Sequence, residues 1–257
     1  MRKPAPAKAN LGDVDLKTTK AGILALCMCA APQIASAQTM QWTDKGYISV
    51  NGGAQVGSQT IDTSSTFPLY DETATISSSQ KIKGGSFFDV GGAYRVWGKN
   101  LLAGVTYSHT STDSDVALTG SIPDPIKFDS PRAVSSTQGG AIHTENAVHI
   151  SVIWMVPVAS KLDVGILAGP TIFSVKQDTI TTATVTEPGP TVTAPFTRVS
   201  KTTAGFHAGV DLQYMVAKRW GIGGIARYSI GSTSLEGATD NLKVGGFQIG
   251  VGGRVRF

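Results

Sequence analysis

Eight segments of this chain alternate apolar with polar residues, and the connections between them alternate short with long. The segments span residues 46–57, 86–97, 101–112, 145–158, 162–174, 203–217, 220–231 and 244–257. A period of two residues indicates a β-strand with one apolar and one polar face. Three connections are short enough for hairpin turns, while the others hold about 28, 32, 28 and 12 residues. Short turns at one end and long loops at the other are typical of transmembrane β-barrels rather than of soluble sandwiches.

The apolar faces carry no Asp, Glu, Lys or Arg across the middle of any segment. A basic side chain that faces lipid at mid-membrane costs about 2 to 4 kcal/mol, so a lipid-facing surface requires this absence. Aromatic side chains near the segment ends suit the two membrane interfaces. They are Trp97, Trp154, Tyr214, Trp220, Tyr107 and Tyr228. We therefore predict an all-β fold, an eight-stranded antiparallel up-and-down transmembrane β-barrel that residues 38–257 form as one domain.

Residues 1–37 have the pattern of a secretory signal peptide. Five basic residues precede a compact apolar block at residues 21–31, and a small-residue cleavage signature, Ala-Ser-Ala, follows at residues 35–37. The apolar block is about half as long as the roughly 20 residues that a membrane helix needs. Both cysteines of the chain lie in this segment. We expect cleavage after Ala37, which leaves a secreted chain with no disulfide and no thiolate metal site.

The chain has a formal net charge of +4, and most of that excess belongs to the predicted signal peptide. Residues 38–257 hold 17 basic and 16 acidic residues, with no basic cluster. We therefore expect no nucleic-acid partner. The four histidines have no cysteines beside them, and the glycine pairs match no phosphate-binding loop. We expect neither a metal nor another cofactor.

The polar faces of the segments would point into the barrel. They gather acidic, basic and imidazole side chains, namely Asp89, Arg95, His149, Asp163, His207, Asp211, Arg227, Arg254 and Arg256. The interior of an eight-stranded barrel is only wide enough for side chains, and charges buried there must pair. We predict a polar network that closes the lumen, with Arg254 and Arg256 near the short-turn end and Asp163 as their candidate partner. A small-solute channel is the alternative.

Glu145, His149 and Ser151 share one face of the fourth segment, so a hydrolytic triad is a weaker alternative. The arrangement resembles the His-x-Ser pair of outer-membrane lipid A deacylases, which are also eight-stranded. In those enzymes the catalytic residues face the lipid, whereas the alternation here directs His149 and Ser151 into the lumen. We expect a protein that is not an enzyme, and a lipid A-modifying enzyme remains the alternative.

The apolar face of the last segment ends the chain on an aromatic residue and consists of Phe247, Ile249, Val251, Val255 and Phe257. This pattern resembles the closing strand of bacterial outer-membrane β-barrels, in which a C-terminal Phe follows alternating apolar positions. As a whole, the chain resembles the OmpA-like and OmpX-like family of small outer-membrane barrels, including opacity-type and attachment-type surface proteins. The resemblance implies a bacterial outer-membrane location with periplasmic termini and extracellular loops. It also implies contact with outer-membrane lipid and lipopolysaccharide, and recognition of the last segment by the barrel-assembly machinery.

The long connections should carry any specific activity, because loops on a rigid scaffold carry recognition. Residues 58–83 and 175–202 are rich in Ser and Thr, which suits strands above the membrane as well as disorder. Residues 113–143 contain four aspartates and three prolines, and we expect a solvated loop there, with calcium binding as the alternative. We predict a monomeric structural surface protein whose loops contact a host, a matrix or lipopolysaccharide.

Overall fold

The computed structural model describes residues 42–180, 183–187, 189–234 and 241–257, so the predicted signal peptide lies outside the described residues. The described chain forms twelve β-strands. They are β1 (Gly46–Val56), β2 (Ser58–Leu69), β3 (Glu72–Lys83), β4 (Ser86–Trp97), β5 (Leu101–Ile122), β6 (Arg132–Ala159), β7 (Leu162–Ile180), β8 (Thr184–Thr186), β9 (Thr191–Thr193), β10 (Phe196–Met215), β11 (Trp220–Thr233) and β12 (Leu242–Arg256). Within the described ranges, no helix is long and apolar enough to span a membrane.

Eight of these strands close into a ring. Antiparallel pairing runs in the order β1, β4, β5, β6, β7, β10, β11 and β12, and β12 returns to β1. At this closure Val50 lies opposite Gly253. The predicted eight-stranded up-and-down barrel is confirmed, and the last segment is its closing strand.

Several ring strands continue far beyond the predicted segments. β5 runs to Ile122 and β6 starts at Arg132, and the two remain paired over most of this length. The prediction of a solvated loop at residues 113–143 is therefore wrong for all but residues 123–131. The reason is that alternation persists in β5, where Val116 and Leu118 are buried between exposed neighbours.

The described parts of residues 58–83, 113–143 and 175–202 form a folded unit at the long-connection end, which we call the cap. The β2–β3 hairpin leaves the barrel wall and pairs through β3 with the far part of β5. β8 and β9 form a second, short hairpin. The cap has its own apolar core of Ala74, Ile76, Val116, Leu118, Ile122, Val134, Ala141, Ile180, Val192 and Ala194. The Ser- and Thr-rich connections are thus strands, because apolar residues on their inner faces give them a core to cover.

The barrel wall separates an apolar outside from a mostly polar inside. Val50, Ile150 and Ile249 on the outer face are each about half exposed, while the inner face of the wall is buried. Near the short turns an apolar layer lies inside the wall beside the polar side chains, and Ile153 and Met155 pack in it. These two residues interrupt the polar pattern of β6 because they belong to this apolar layer.

Candidate functional site

The lumen is filled by a column of polar side chains that begins at the short-turn end. Arg256 Nη1 lies 2.6 Å from Asp163 Oδ2, and Arg256 Nη2 donates to Gln213 Oε1 at 2.8 Å. The guanidinium carbon of Arg256 also lies 4.3 Å from the ring centroid of Trp42. Trp42 is itself buried against Tyr47 and the apolar layer. These contacts close the short-turn end of the lumen.

Arg254 forms the next level of the column. Its Nη2 lies 2.5 Å from Asp211 Oδ1, and its Nη1 donates to Asn51 Oδ1 at 2.6 Å. Arg256 thus has the predicted partner, Asp163, whereas Arg254 pairs with Asp211 instead. Two residues along a strand differ in height by about 7 Å, so the two arginines meet acids at successive levels.

Arg227 and Asp89 form a third ion pair beside the second one. Arg227 Nη2 lies 3.3 Å from Asp89 Oδ2, and Arg227 Nε donates to Gln248 Oε1 at 2.9 Å. Asn51 Nδ2 donates to Asp89 Oδ1 at 2.6 Å, so Asn51 links this pair to Arg254. The members are all buried, and this mutual bonding offsets the cost of removing their charges from water.

Two histidines occupy the middle of the lumen. His149 bonds Ser108 Oγ through Nε2 at 3.0 Å and Thr171 Oγ1 through Nδ1 at 2.9 Å. His207 bonds Ser151 Oγ through Nε2 at 2.9 Å. Each imidazole is therefore held by hydroxyl groups, and no carboxylate of the described residues bonds to either ring. Among the described residues, no three His, Cys, Asp or Glu side chains are grouped as metal ligands.

The triad considered from the sequence does not assemble. Ser151 bonds His207, and Glu145 bonds His143 at 3.0 Å, so neither reaches His149. His149 is held instead by Ser108 of β5 and Thr171 of β7. Neighbours on other strands take these places. All three residues point into the lumen and are buried.

Arg95 is the predicted network member that lies apart from the column. It sits near the short-turn end of β4, is only partly buried, and donates through Nη1 to the backbone oxygen of Trp42 at 3.2 Å. The prediction that it joins the buried network is wrong, because Arg95 is the last inward residue of β4 before the turn.

At the long-connection end of the lumen, the structure places His143, a residue that the sequence analysis missed. His143 Nδ1 lies 2.6 Å from Gln177 Oε1, and Nε2 lies 3.0 Å from Glu145 Oε1. Gln177 Nε2 donates to Gln80 Oε1, which fixes the Gln177 oxygen toward the imidazole. Both ring nitrogens of His143 therefore lie within hydrogen-bond distance of side-chain oxygens, which fixes the orientation of the ring. The signal was present in the sequence, since His143 lies two residues before Glu145 on the same face.

The outermost feature of the cap is the connection between β5 and β6, residues 123–131, which we call the tip. Asp124 Oδ1 accepts from the backbone nitrogens of Ile126 and Lys127, and these bonds lower the pKa of Asp124. Arg132 clamps the base of the tip through a two-pronged contact with Glu187. Ile126 and Phe128 are 88% and 74% exposed. The tip is thus a tethered loop that holds two large apolar side chains in solvent.

The sequence of this chain also matches a known protein family. The family described as the outer membrane protein beta-barrel domain matches residues 21–254. The chain belongs to this family. Membership places the barrel in the bacterial outer membrane, where the apolar outer face meets lipid. Comparison with curated protein sequences found no match.

Three solved structures illustrate what this outer-membrane barrel is similar to. Neisserial surface protein A is 13% identical, with a TM-score of 0.42 over 82% of this chain and 97% of that one. The attachment invasion locus protein Ail of Yersinia pestis is 12% identical, with a TM-score of 0.36 over 82% of this chain and 99% of that one. The outer membrane protease OmpT of Escherichia coli is 10% identical, with a TM-score of 0.44 over 86% of this chain and 100% of that one.

Proposed function

We propose that this outer-membrane barrel is a non-enzymatic, non-conducting surface protein that binds a partner macromolecule through the tip of its cap. In this proposal the signal peptide is removed, the termini and short turns lie in the periplasm, and the cap faces the outside. The observation that carries it is the exposure of Ile126 and Phe128 on a tethered tip.

The filled lumen supports a scaffold role. Three ion pairs and their amide partners fill the lumen from its short-turn end toward its middle. A cavity of about 20 Å³ lies among them, next to Asp211 and Arg227. Such a cavity holds about one water molecule, which is too little for a solute path. A rigid barrel of this kind suits the presentation of a cap.

The tip has the chemistry of a protein-binding anchor. Burying one large apolar side chain contributes about 1.5 to 3 kcal/mol, and the tethers lower the entropy lost on binding. Asp129 N donates to Glu72 Oε1 at 2.7 Å, which ties the tip to the β2–β3 hairpin as well. Lys127 lies between Ile126 and Phe128 and adds one positive charge. The partner that fits is a protein surface with an apolar pocket.

Adhesion of cells that display the protein tests this proposal. We expect the double substitution I126S/F128S to reduce attachment to matrix-coated surfaces about tenfold or more, as loss of two anchor residues does. K81S changes an exposed cap residue outside the tip and serves as the matched control. Equal attachment of cells that display I126S/F128S and cells that display the unaltered chain would contradict the proposal.

The enzyme alternative has its own test. His149 and Ser151 lie inside the wall, away from the lipid that a lipid A-modifying enzyme must reach. Mass spectrometry of lipid A from cells with H149A/S151A should match the profile from cells with the unaltered chain. An altered lipid A profile would favour the enzyme instead.

The closing strand is where we expect contact with two further partners, the barrel-assembly machinery and outer-membrane lipid. Phe247 and Phe257 are exposed on the outer face of β12, where the barrel-assembly machinery and then lipid would meet them. We propose that the protein is a monomer with lipopolysaccharide around its wall. Replacing Phe257 with Ala should lower the amount of folded protein in the outer membrane, as read by heat-dependent gel migration.

A further inference from the structure

A gap in the barrel wall lies where the ladder between β1 and β12 stops. The last backbone pair is Val56 with Phe247, after which β2 leaves the wall. Farther along β12, the side chain of Gln59 bonds both the nitrogen and the oxygen of Lys243, at 3.0 and 2.9 Å. Between the Val56–Phe247 pair and the Gln59–Lys243 bonds, no backbone hydrogen bonds join β12 to residues 57 and 58. We call this opening the window.

Gly245 explains why the ladder stops. Its φ of +90° is a left-handed conformation that glycine adopts without strain. This conformation turns the peptide of Gly245 into the lumen, where its nitrogen donates to Glu145 Oε2 and its oxygen accepts from Gln55 Nε2. The edge of β12 therefore bonds to lumen side chains instead of a neighbouring strand.

Behind the window lies a pocket of about 250 Å³. Its inner wall includes Glu145 and Ser229, both buried. Its rim includes Val56, Tyr228 and Phe247, which are 42 to 58% exposed on the outer face of the barrel. The pocket therefore joins the apolar outside of the wall to a polar end inside the lumen.

Two groups at the polar end of the pocket, Ser229 and Glu145, can each form one more hydrogen bond. Ser229 Oγ is buried without a partner, which is uncommon for a hydroxyl. The carboxylate of Glu145 already accepts from three neighbours and retains a free lone pair. Lys83 and Lys243 at the exposed rim disfavour a cation, and Glu145 at the buried end disfavours an anion, so a neutral molecule fits the pocket.

We propose that the window pocket binds a neutral apolar molecule that carries a hydroxyl group. The hydroxyl accepts from Ser229 Oγ and donates to Glu145, while the apolar part lies against Tyr228 and Phe247. Pockets for drug-sized ligands begin near about 300 Å³, so the pocket holds a smaller molecule or one end of a longer chain. The rim faces the membrane, and the ligand enters from that side.

Thiol protection in phosphatidylcholine vesicles tests the site with 1-decanol as the probe. Gly57 lines the window, and an added Cβ there has no heavy atom within 4 Å. Gly253 has the same free space on the lipid-facing side of β12 and lies outside the pocket lining, so G253C is the matched control. Both variants carry C27A and C29A, which removes the native thiols. We expect 1-decanol to slow the reaction of G57C with methyl methanethiosulfonate several-fold and to leave G253C unchanged.

The hydroxyl contact has a separate readout. Adding S229A to G57C should raise the decanol concentration for half protection about fivefold, in the range of one lost hydrogen bond. S108A removes an equally buried hydroxyl outside the pocket and should leave that concentration unchanged. Decanoate should protect far less than decanol. Equal protection of G57C and G253C, equal protection by decanoate, or no effect of S229A would each overturn the proposal.

The unaltered chain provides a second test that needs no folded variant. An alkyl alcohol with a diazirine on its chain should crosslink to peptides that contain residues 55–59 and 243–247, and excess decanol should abolish this labelling. Labelling that excess decanol does not reduce would overturn the proposal. Vesicles that contain lipopolysaccharide distinguish the source of the ligand: protection of G57C without decanol assigns a lipid chain, and protection only with decanol assigns a free molecule.

Discussion

At the scale of single residues, the lumen is a set of charges that are stable only together. Arg254 and Asp211 are each almost fully buried, and Asn51 joins them to Asp89 and Arg227. Removing one member leaves an unpaired charge in a low-dielectric interior, which costs more than the ion pair itself contributes.

Arg254→Met should therefore destabilise the barrel by about 3 to 5 kcal/mol, because Asp211 loses its cation. Urea unfolding in lipid vesicles, followed by heat-dependent gel migration, measures this change. Arg95→Met removes the same charge from a partly exposed position with a backbone acceptor, and it should cost about 1 kcal/mol. Equal unfolding curves for the two variants would contradict the role assigned to the column.

A carboxylate in the cap gives an acid-sensitive contact. Arg198 bonds both oxygens of Asp178, and these bonds lower the pKa of Asp178 below its ordinary value. Ile142 N also donates to this carboxylate. A depressed carboxyl pKa contributes stability above about pH 4 that is lost as the pH falls through the folded value.

We expect the exchange protection of the Ile142 amide to fall as the pH drops below about 4, the ordinary range of a carboxyl group. Hydrogen exchange with mass spectrometry reports it, corrected for the intrinsic rate. In Asp178→Asn the protection should already be low at neutral pH and should change little with acid. The same pH dependence in both proteins would exclude Asp178 as the cause.

At the scale of elements, the closing strand depends on glycines that let β1 and β12 approach. A Cβ on Gly252 would overlap the backbone oxygen of Val50, whereas a Cβ on the adjacent Gly253 has no heavy atom within 4 Å. The two positions differ because one faces the crowded lumen and the other faces outward.

Gly252→Ala should sharply reduce the folded fraction, because the added methyl group overlaps backbone and forces β1 away from β12. Gly253→Ala should fold like the unaltered chain. Comparison of boiled and unboiled gel migration measures the folded fraction of both. Equal folding of the two variants would show that β1 and β12 do not approach as closely as described.

The same scale shows what the sequence could and could not predict. The lipid-facing side of each strand was predictable, because a membrane excludes charge from every second residue. The partners inside the lumen were not, since Ser151 meets His207 and Arg254 meets Asp211 through strand stagger that no single segment encodes. The sequence did not decide between strands and disorder for residues 58–83 and 175–202, because Ser and Thr on the solvent faces of strands are also typical of a disordered loop. The sequence placed Arg95 in the buried network because alternation predicts which face of a strand a residue is on, but not how far along the barrel axis it lies.

At the scale of the whole molecule, the barrel and the cap have different roles. The barrel is a filled cylinder in the outer membrane, and the cap has a separate apolar core and holds the tip through the bond from Asp129 N to Glu72. In the proposed function the tip binds a partner macromolecule and the middle of the lumen conducts no solute, while in the further inference the window pocket binds a small ligand.

Conductance across a planar lipid bilayer tests this account most directly. The purified, folded protein should insert without discrete current steps in concentrated potassium chloride, because the three ion pairs and their amide partners fill the lumen. Arg254→Met and Asp211→Asn, which weaken the column, are the variants in which rare openings should first appear. Stable, discrete conductance by the unaltered chain that disappears in Asp211→Asn or Arg227→Met would contradict the account and identify the lumen as a channel.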